Sequence, residues 1–269
     1  MSVELSVVVP IFNEEKILFA TAKNLSQYLD IIVGINKWQY VLVDNGSTDS
    51  TPLIIKNICN KWPLSLHIKL PKPNIGEALK AGLENAEGLW AYIINVDWWD
   101  PVFICWAWEN REKYDLIIGS KRADPYLNHH PQFRKFLSWG LNSLLQILFD
   151  FVGMETHGQK LLKMSSMKNI IETCVMRRGQ FDTELTLKAL KFGLWVAEVP
   201  VPIKEVRKHR NLMIKKILQN VYDLFKLKRE ISPIVLKESI KYHRWSRYDM
   251  LEVYCKYFGE EYNERFLSK

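Results

Sequence analysis

One stretch, Leu89 to Asp100, constrains the fold more than any other, because an apolar run ends there abruptly in polar and acidic side chains. Residues 92–94 are aromatic or β-branched, which is typical of a strand covered on both faces in a parallel sheet. In open α/β sheets, ligands bind at the carboxyl ends of the strands. Asn95 and Asp97 place two side-chain oxygens where both can reach one hard divalent cation, although Asn and Asp are also common turn formers.

Other apolar runs end in the same way, and helical patterns separate them. Residues 38–43 precede Asp44, and residues 115–119 lead into a cationic turn that contains Lys121. Alternating strands and helices of this length predict an α/β fold with a mostly parallel sheet and helices on both faces. We therefore expect Asp44, Asp97 and Lys121 to meet at one rim of the sheet.

Composition narrows the class of protein. The four cysteines form no CxxC pair, which favours a reducing compartment, and no signal peptide is read at the N-terminus. No window is long and apolar enough to span a bilayer, so we expect a cytoplasmic protein that is soluble or peripherally bound to the cytoplasmic face of a membrane. The net charge is +7, and basic residues concentrate at 204–229, which indicates an anionic partner.

The chain is expected to divide into a catalytic-type domain, 1–206, and a basic amphipathic helical segment, 207–269. In that segment Ile214, Val221 and Phe225 share one apolar stripe at helical spacing. Residues 136–152 also predict a helix with a very wide apolar face. Such a helix packs in the core or lies in a membrane interface.

The order of several short motifs carries a resemblance to a known family. The chain resembles the family 2 glycosyltransferases, and within them the polyprenyl-phosphate (dolichyl-phosphate) sugar synthases. The motifs are VVVPIFNEE, VLVDNGSTDST, PNIGEALKAGLENAEG, NVD, GSKR, THGQK, FDTEL and EVPV. The resemblance implies a GT-A (Rossmann-like) fold, to which the segment 207–269 would add a C-terminal helical appendage. It also implies inverting transfer of a hexose from a GDP- or UDP-sugar to a polyprenyl phosphate, assisted by Mg²⁺ or Mn²⁺.

Matched motif by motif, the resemblance also assigns roles to residues of this chain. Asp97, with Asn95, would ligate the metal, and Lys121 would lie near the reacting phosphates. The residues implied to bind the nucleotide are Pro10, Phe12, Glu14, Asp44, Asn95 and Asp97, and those implied to grip acceptor phosphates are Lys121, Arg134, Arg207 and Arg210.

The chain departs from the family pattern at the metal motif. Where relatives carry two carboxylates, this chain has Asn95 and Asp97, and an amide is a weaker, uncharged ligand. Metal affinity should therefore fall, unless Asp100 or Glu155 compensates. Glu155 stands where relatives have an aspartate before a threonine.

Two alternatives follow from other residues. A hydroxyl acceptor on a glycan would need a general base, for which Asp182 and Glu184 are candidates, although two acids there also suit the first turn of a helix. The amide at Asn95 also permits a non-catalytic homologue that binds a nucleotide or a membrane. Nucleic-acid binding is not expected, because no nucleic-acid motif accompanies the basic tail.

Overall fold

The computed structural model describes residues 2–124, 132–202, 213–231, 240–246, 248–250 and 256–257. Within these ranges, the side chains of 132–138, 213–218 and 248 are outside the description. Eight strands form one sheet: β1 (Leu5–Ile11), β2 (Trp38–Asp44), β3 (Leu66–Lys69), β4 (Trp90–Ile93), β5 (Leu116–Ser120), β6 (Lys160–Lys163), β7 (Val196–Pro200) and β8 (Tyr242–Arg244). The helices are α1 (Leu18–Ile32), α2 (Thr51–Lys61), α3 (Ile75–Glu84), α4 (Pro101–Asn110), α5 (Gln132–Phe149), α6 (Met164–Thr173), α7 (Phe181–Lys191) and α8 (Met213–Ile231).

The strand order is β3-β2-β1-β4-β6-β5-β7-β8. Every neighbouring pair is parallel except those that involve β6, which runs antiparallel to both β4 and β5. The carboxyl ends of β1, β2, β4, β5 and β7 therefore lie at one edge of the sheet. This arrangement confirms the mostly parallel α/β fold.

Two apolar layers cover the faces of the sheet. One contains the buried side chains of α1 and α4, and the other contains those of α3, α6 and α7. Helix α3 approaches the sheet closely, since a Cβ on Gly82 would lie 2.4 Å from a methyl group of Val8. The absence of a side chain at Gly82 lets the backbone of α3 approach β1 this closely.

The sequence predicts a helix that opens at Asn13, Glu14 and Glu15, because acidic residues suit the first turn of a helix, but the structure has no helix at these residues. Helix α1 begins only at Leu18, and no acid lies in its first turn. Asn13 has a left-handed backbone (φ 55°), which interrupts the chain between β1 and the helix. Glu14 and Glu15 instead bond to the loop after β2, as described below.

The C-terminal residues join the main body of the protein. Leu224, Leu227 and Ile231 of α8 are buried against the α7 side of the core, whereas Phe225 is exposed. Phe225 of the predicted apolar stripe therefore faces outward, and α8 buries the neighbouring row of side chains. Strand β8, which the sequence did not predict, extends the sheet beside β7. The expected boundary after residue 206 falls outside the described residues and stays a prediction.

Within the described ranges, no helix has both the length and the apolarity to cross a bilayer.

Candidate active site

A cavity of about 220 Å³ opens at the carboxyl edge of the sheet, where the loops after β1, β2 and β4 meet. Its lining comprises Pro10, Ile11, Phe12, Glu14, Asn45, Ile75, Asn95, Val96 and Asp97. Five of the six residues expected to bind the nucleotide are thus brought to one cavity. A second, wider cavity of about 630 Å³ adjoins it and shares Glu14, Val96 and Asp97.

Hydrogen bonds fasten the loop after β1 to the loop after β2. The Asn13 side chain accepts the Thr48 N–H at 2.8 Å, and the Asn13 N–H donates to the Ser47 hydroxyl at 3.0 Å. The Glu14 N–H donates to the Thr51 hydroxyl at 2.9 Å, and the Ser50 N–H donates to the Glu15 carboxylate at 3.0 Å. The two loops therefore form one rigid wall of the cavity.

Asp44, the sixth expected nucleotide residue, lies at the end of β2 and is fully buried behind this wall. One carboxylate oxygen accepts the Ser47 N–H at 2.8 Å, and the other has no hydrogen-bond partner within the described structure. A buried oxygen that lacks a partner is costly, so this atom is suited to accept a ligand hydroxyl or N–H. Asn45, which the sequence reasoning missed although it is the next residue, lines the cavity itself.

The motif Asn95–Asp97 forms a tight turn, because the Trp98 N–H donates to the Asn95 carbonyl at 3.2 Å. Both Asn95 and Asp97 are exposed toward the cavity. The two tryptophans that follow line the wider cavity. The Trp98 indole N–H donates to the Pro202 carbonyl at 3.4 Å, and Trp99 packs edge-on against Tyr28.

The oxygen donors of this turn fit a hard divalent cation. Asn95 and Asp97 would hold it. Among the described residues, no three His, Cys, Asp or Glu side chains gather as a complete metal site. A cation at this turn would therefore take its remaining ligands from a bound diphosphate and water, which is typical of Mg²⁺ sites on phosphates.

Asp100 has a structural role that the sequence reasoning did not anticipate. Its side chain caps α4 by accepting the Val102 N–H at 3.0 Å, and Asp100 is absent from the lining of both cavities. Burial raises the pKa of its carboxyl from 3.8 to about 6. This position does not favour Asp100 as a substitute ligand for Asn95.

The raised pKa of Asp100 makes a testable contribution to stability. Below pH 4 both folded and unfolded chains hold the proton, and the stabilisation is fully present. As the pH rises from about 4 to about 6 the unfolded chain loses the proton first, so about 3 kcal/mol of the free energy of unfolding is lost. We expect Asp100→Asn, which caps a helix equally well, to lack this loss. Urea unfolding of both proteins at pH 4.5 and 7.5 checks it; a constant difference between them would contradict it.

Lys121 follows β5, and its ammonium nitrogen lies 3.6 Å from Oε2 of Glu155. Glu155 is buried, and its Oε1 accepts the His157 N–H at 2.9 Å. Glu155 faces Lys121 and lines neither of the two cavities beside Asp97. The loop of Glu155 and the end of β5 make a charged surface, which we name the acceptor side because the family resemblance implies that Lys121 contacts the acceptor.

Asp182 and Glu184 occupy different environments on α7. Asp182 is partly exposed and pairs with the buried ammonium of Lys160 at 2.6 Å. The Glu184 side chain is fully buried; it accepts the N–H groups of Val175 and Met176 and pairs with Lys188 at 2.7 Å. Because every one of these contacts is internal to the fold, the geometry favours a structural carboxylate at Glu184 over a general base.

The remaining expected phosphate ligands stay predictions. Arg134 lies within α5, but its side chain is outside the described part of the chain. Arg207 and Arg210 lie outside the described residues altogether.

Comparison with known proteins places this site in a family. The sequence model of the family described as Glycosyl transferase family 2 matches residues 6–170, which span β1 to α6. The chain belongs to glycosyltransferase family 2. The matched range contains the residues that line the 220 Å³ cavity, together with Lys121. As a member of this family, the chain is an enzyme of the transferase class.

Curated relatives of this family 2 glycosyltransferase are 26% to 31% identical to it over the aligned residues. A dolichyl-phosphate beta-glucosyltransferase, ALG5A of Trichomonas vaginalis, is 27% identical over 84% of this chain and 73% of the relative. The dodecaprenyl-phosphate galacturonate synthase of Rhizobium johnstonii is 31% identical over 54% of this chain and 43% of the relative. A dolichyl-phosphate beta-glucosyltransferase of Dictyostelium discoideum is 26% identical over 76% and 68%.

Solved structures resemble this glycosyltransferase in fold. Glucosyl-3-phosphoglycerate synthase from Mycobacterium tuberculosis, in complex with Mg²⁺ and UDP, aligns with a TM-score of 0.61 at 20% identity, covering 84% of this chain and 79% of that one. The same enzyme with Mn²⁺, UDP-glucose and phosphoglyceric acid aligns at 0.57 and 17% identity, covering 84% and 80%. At these identities the likeness shows the fold alone.

Proposed function

We propose that this protein transfers a hexose from a UDP-sugar to a polyprenyl phosphate, with inversion at the sugar carbon. The observation that carries the donor assignment is the 220 Å³ cavity, in which Pro10, Phe12 and Glu14 face Asn95 and Asp97. The names of the curated relatives support the acceptor, because they include dolichyl-phosphate and dodecaprenyl-phosphate enzymes. The complexes with UDP and UDP-glucose in the fold relative favour UDP over GDP.

In this mechanism the wall of Phe12 and Glu14 binds the nucleoside, and Asp44 accepts a hydrogen bond through its unpartnered oxygen. Asn95 and Asp97 hold the diphosphate end of the donor. A divalent cation bound there would supply charge neutralisation for the leaving diphosphate. Because the site fixes donor and acceptor in line, much of the entropic part of the barrier is removed by binding.

The reaction balances without a general base. A phosphate oxygen of the acceptor forms a bond to C1 of the hexose, while the bond from C1 to the UDP oxygen breaks and its electron pair leaves with UDP. A phosphate monoester has a second pKa of about 6, so the attacking oxygen is already ionised at neutral pH. Lys121, a described cation on the acceptor side, would receive this phosphate.

A surface made by α5 and α8 supports peripheral binding to a membrane. Trp139 and Ile147 of α5 and Phe225 of α8 are exposed, with Lys226 and Arg229 exposed beside Phe225. The two helices are in contact, since the Lys228 ammonium donates to the Leu148 carbonyl at 2.8 Å. Apolar side chains rimmed by cations are typical of helices that lie in a membrane interface. We propose that this surface brings the site to its lipid substrate.

Transfer to a glycan hydroxyl is the second candidate, and Asp182 is the observation that keeps it open. Unlike Glu184, it reaches solvent at the acceptor side, where it could take a proton from a hydroxyl. A hydroxyl acceptor predicts a rate that collapses in Asp182→Asn. A phosphate acceptor predicts a rate that follows ionisation of the phosphate near pH 6 instead.

The donor assignment is tested by thermal unfolding with a panel of nucleotide sugars, with and without Mn²⁺. We expect UDP-glucose with Mn²⁺ to raise the melting temperature, because a ligand at 100 times its Kd stabilises by about 2.7 kcal/mol. GDP-mannose serves as the matched control and should raise it less. A shift that is equal for both donors, or absent for both, would contradict the assignment.

A further inference from the structure

Glu198 is a carboxylate in the middle of the buried strand β7 and is fully buried there. Glu198 lines neither of the two cavities of the candidate active site. Burying a carboxylate costs free energy unless its oxygens accept hydrogen bonds. Its contacts lead to three separate segments of the acceptor side.

The first two contacts reach the residues directly before Glu155 and Lys121. Oε2 of Glu198 accepts the Met154 N–H at 2.9 Å. The Ser120 side chain also faces the Glu198 carboxylate and lowers the pKa of that group. Met154 and Ser120 each adjoin one member of the 3.6 Å ion pair, so a single carboxylate lies against both segments that carry the pair.

The third contact comes from the C-terminal strand. The Tyr242 hydroxyl of β8 donates to Oε2 of Glu198. Tyr242 also fills the space beside Gly153, where an added Cβ would lie 3.1 Å from the Tyr242 hydroxyl. Oε1 of Glu198 has no hydrogen-bond partner in the described structure. Burial, above all, raises the pKa of this carboxyl, and the negative charge of Glu155 adds to the rise.

We propose that Glu198 and Tyr242 are a positioning pair that fixes Lys121 and Glu155 for the acceptor. The C-terminal strand β8 then extends the sheet and also supplies a residue that positions the acceptor side. Neither residue touches the donor cavity, so the pair acts on acceptor use and leaves donor binding alone. The expected change in KM for the acceptor rests on the proposed function. The fixing of Lys121 and Glu155 by Glu198 and Tyr242 does not.

The experiment uses the full chain with Glu198→Gln, Tyr242→Phe and the control Glu87→Gln, which alters an exposed acid away from the site. In steady-state transfer we expect the KM for the polyprenyl phosphate to rise at least tenfold in both test variants. The KM for the nucleotide sugar should stay within twofold, and the control should match the wild type. An equal rise in both KM values, or no change in either, would overturn the proposal.

Amide hydrogen exchange without any substrate provides the second measurement. Peptides that cover residues 119–123 and 152–158 should exchange at least fivefold faster in both test variants, while the peptide of residues 95–100 stays unchanged. Faster exchange throughout the chain would indicate general destabilisation and overturn the proposal, as would unchanged exchange. If the wild type transfers no sugar, the proposed function fails but exchange still decides the positioning role. Tyr242→Phe keeps the test decisive if Glu198→Gln does not fold.

Discussion

Asp97→Ala should lower sugar transfer by about a thousandfold, the largest loss that we expect from any single side chain of this enzyme. Asp97 supplies the one carboxylate of the Asn95–Asp97 turn, and it lies where two cavities join. Without it the turn offers only an amide oxygen to the diphosphate end of the donor. Initial rates at saturating donor, with Mn²⁺ titrated in each case, measure the effect.

The neighbouring position provides a matched variant for the same prediction. Asn95→Asp restores a second carboxylate to an exposed position in the same turn and leaves its length unchanged. We expect it to bind Mn²⁺ on the order of tenfold more tightly in the presence of UDP, because ligand charge sets the affinity for hard cations. Calorimetry of UDP with and without Mn²⁺ gives the comparison. Full activity in Asp97→Ala would remove the metal assignment from this turn.

Glu184→Gln should cost about 3 kcal/mol of the free energy of unfolding, the largest loss of stability that we expect from a polar substitution. The wild-type carboxylate is fully buried and accepts two backbone N–H groups of the loop after α6. It also pairs with Lys188, whose charge the substitution would leave buried without its partner. Urea denaturation at pH 7 measures the difference.

The control for this variant is Glu172→Gln, which changes an exposed acid on the preceding helix α6. It should alter the unfolding free energy by less than about 0.5 kcal/mol. If Glu184 were a general base, the opposite pattern would hold. Glu184→Gln would then keep the wild-type stability and lose transfer to a hydroxyl acceptor.

The sheet and the site edge could be predicted because their signals are local. Apolar runs that end in Asp44 and Asn95 mark strand ends, and parallel topology brings such ends to one edge. The cavity lining could be predicted from the family resemblance, since five of the six residues expected to bind the nucleotide line one cavity. The helix predicted to open at the acidic residues after β1 was wrong, because a loop that hydrogen-bonds to another loop can have the same composition as the first turn of a helix.

Other features depend on pairings between distant parts of the chain. Strand β8 has only three residues, too few for a periodic pattern, and it exists because β7 offers it an edge. The sequence does not tell which row of α8 is buried, because Leu224 and Phe225 are equally apolar and only the shape of the neighbouring core selects between them. Glu198 did leave a signal, since a lone acid within the apolar run WVAEVPV requires buried partners.

The most direct test of the central claim is a transfer assay with the full chain. The protein is incubated with UDP-glucose, Mn²⁺ and a polyprenyl phosphate in phospholipid vesicles, and the lipid fraction is analysed by mass spectrometry. We expect a hexosyl phosphoryl polyprenol that does not form when the phosphate is replaced by the free polyprenol, or when Asp97 is replaced by alanine. Absence of this product across UDP- and GDP-hexoses, or equal transfer to the free polyprenol, would contradict the proposed function.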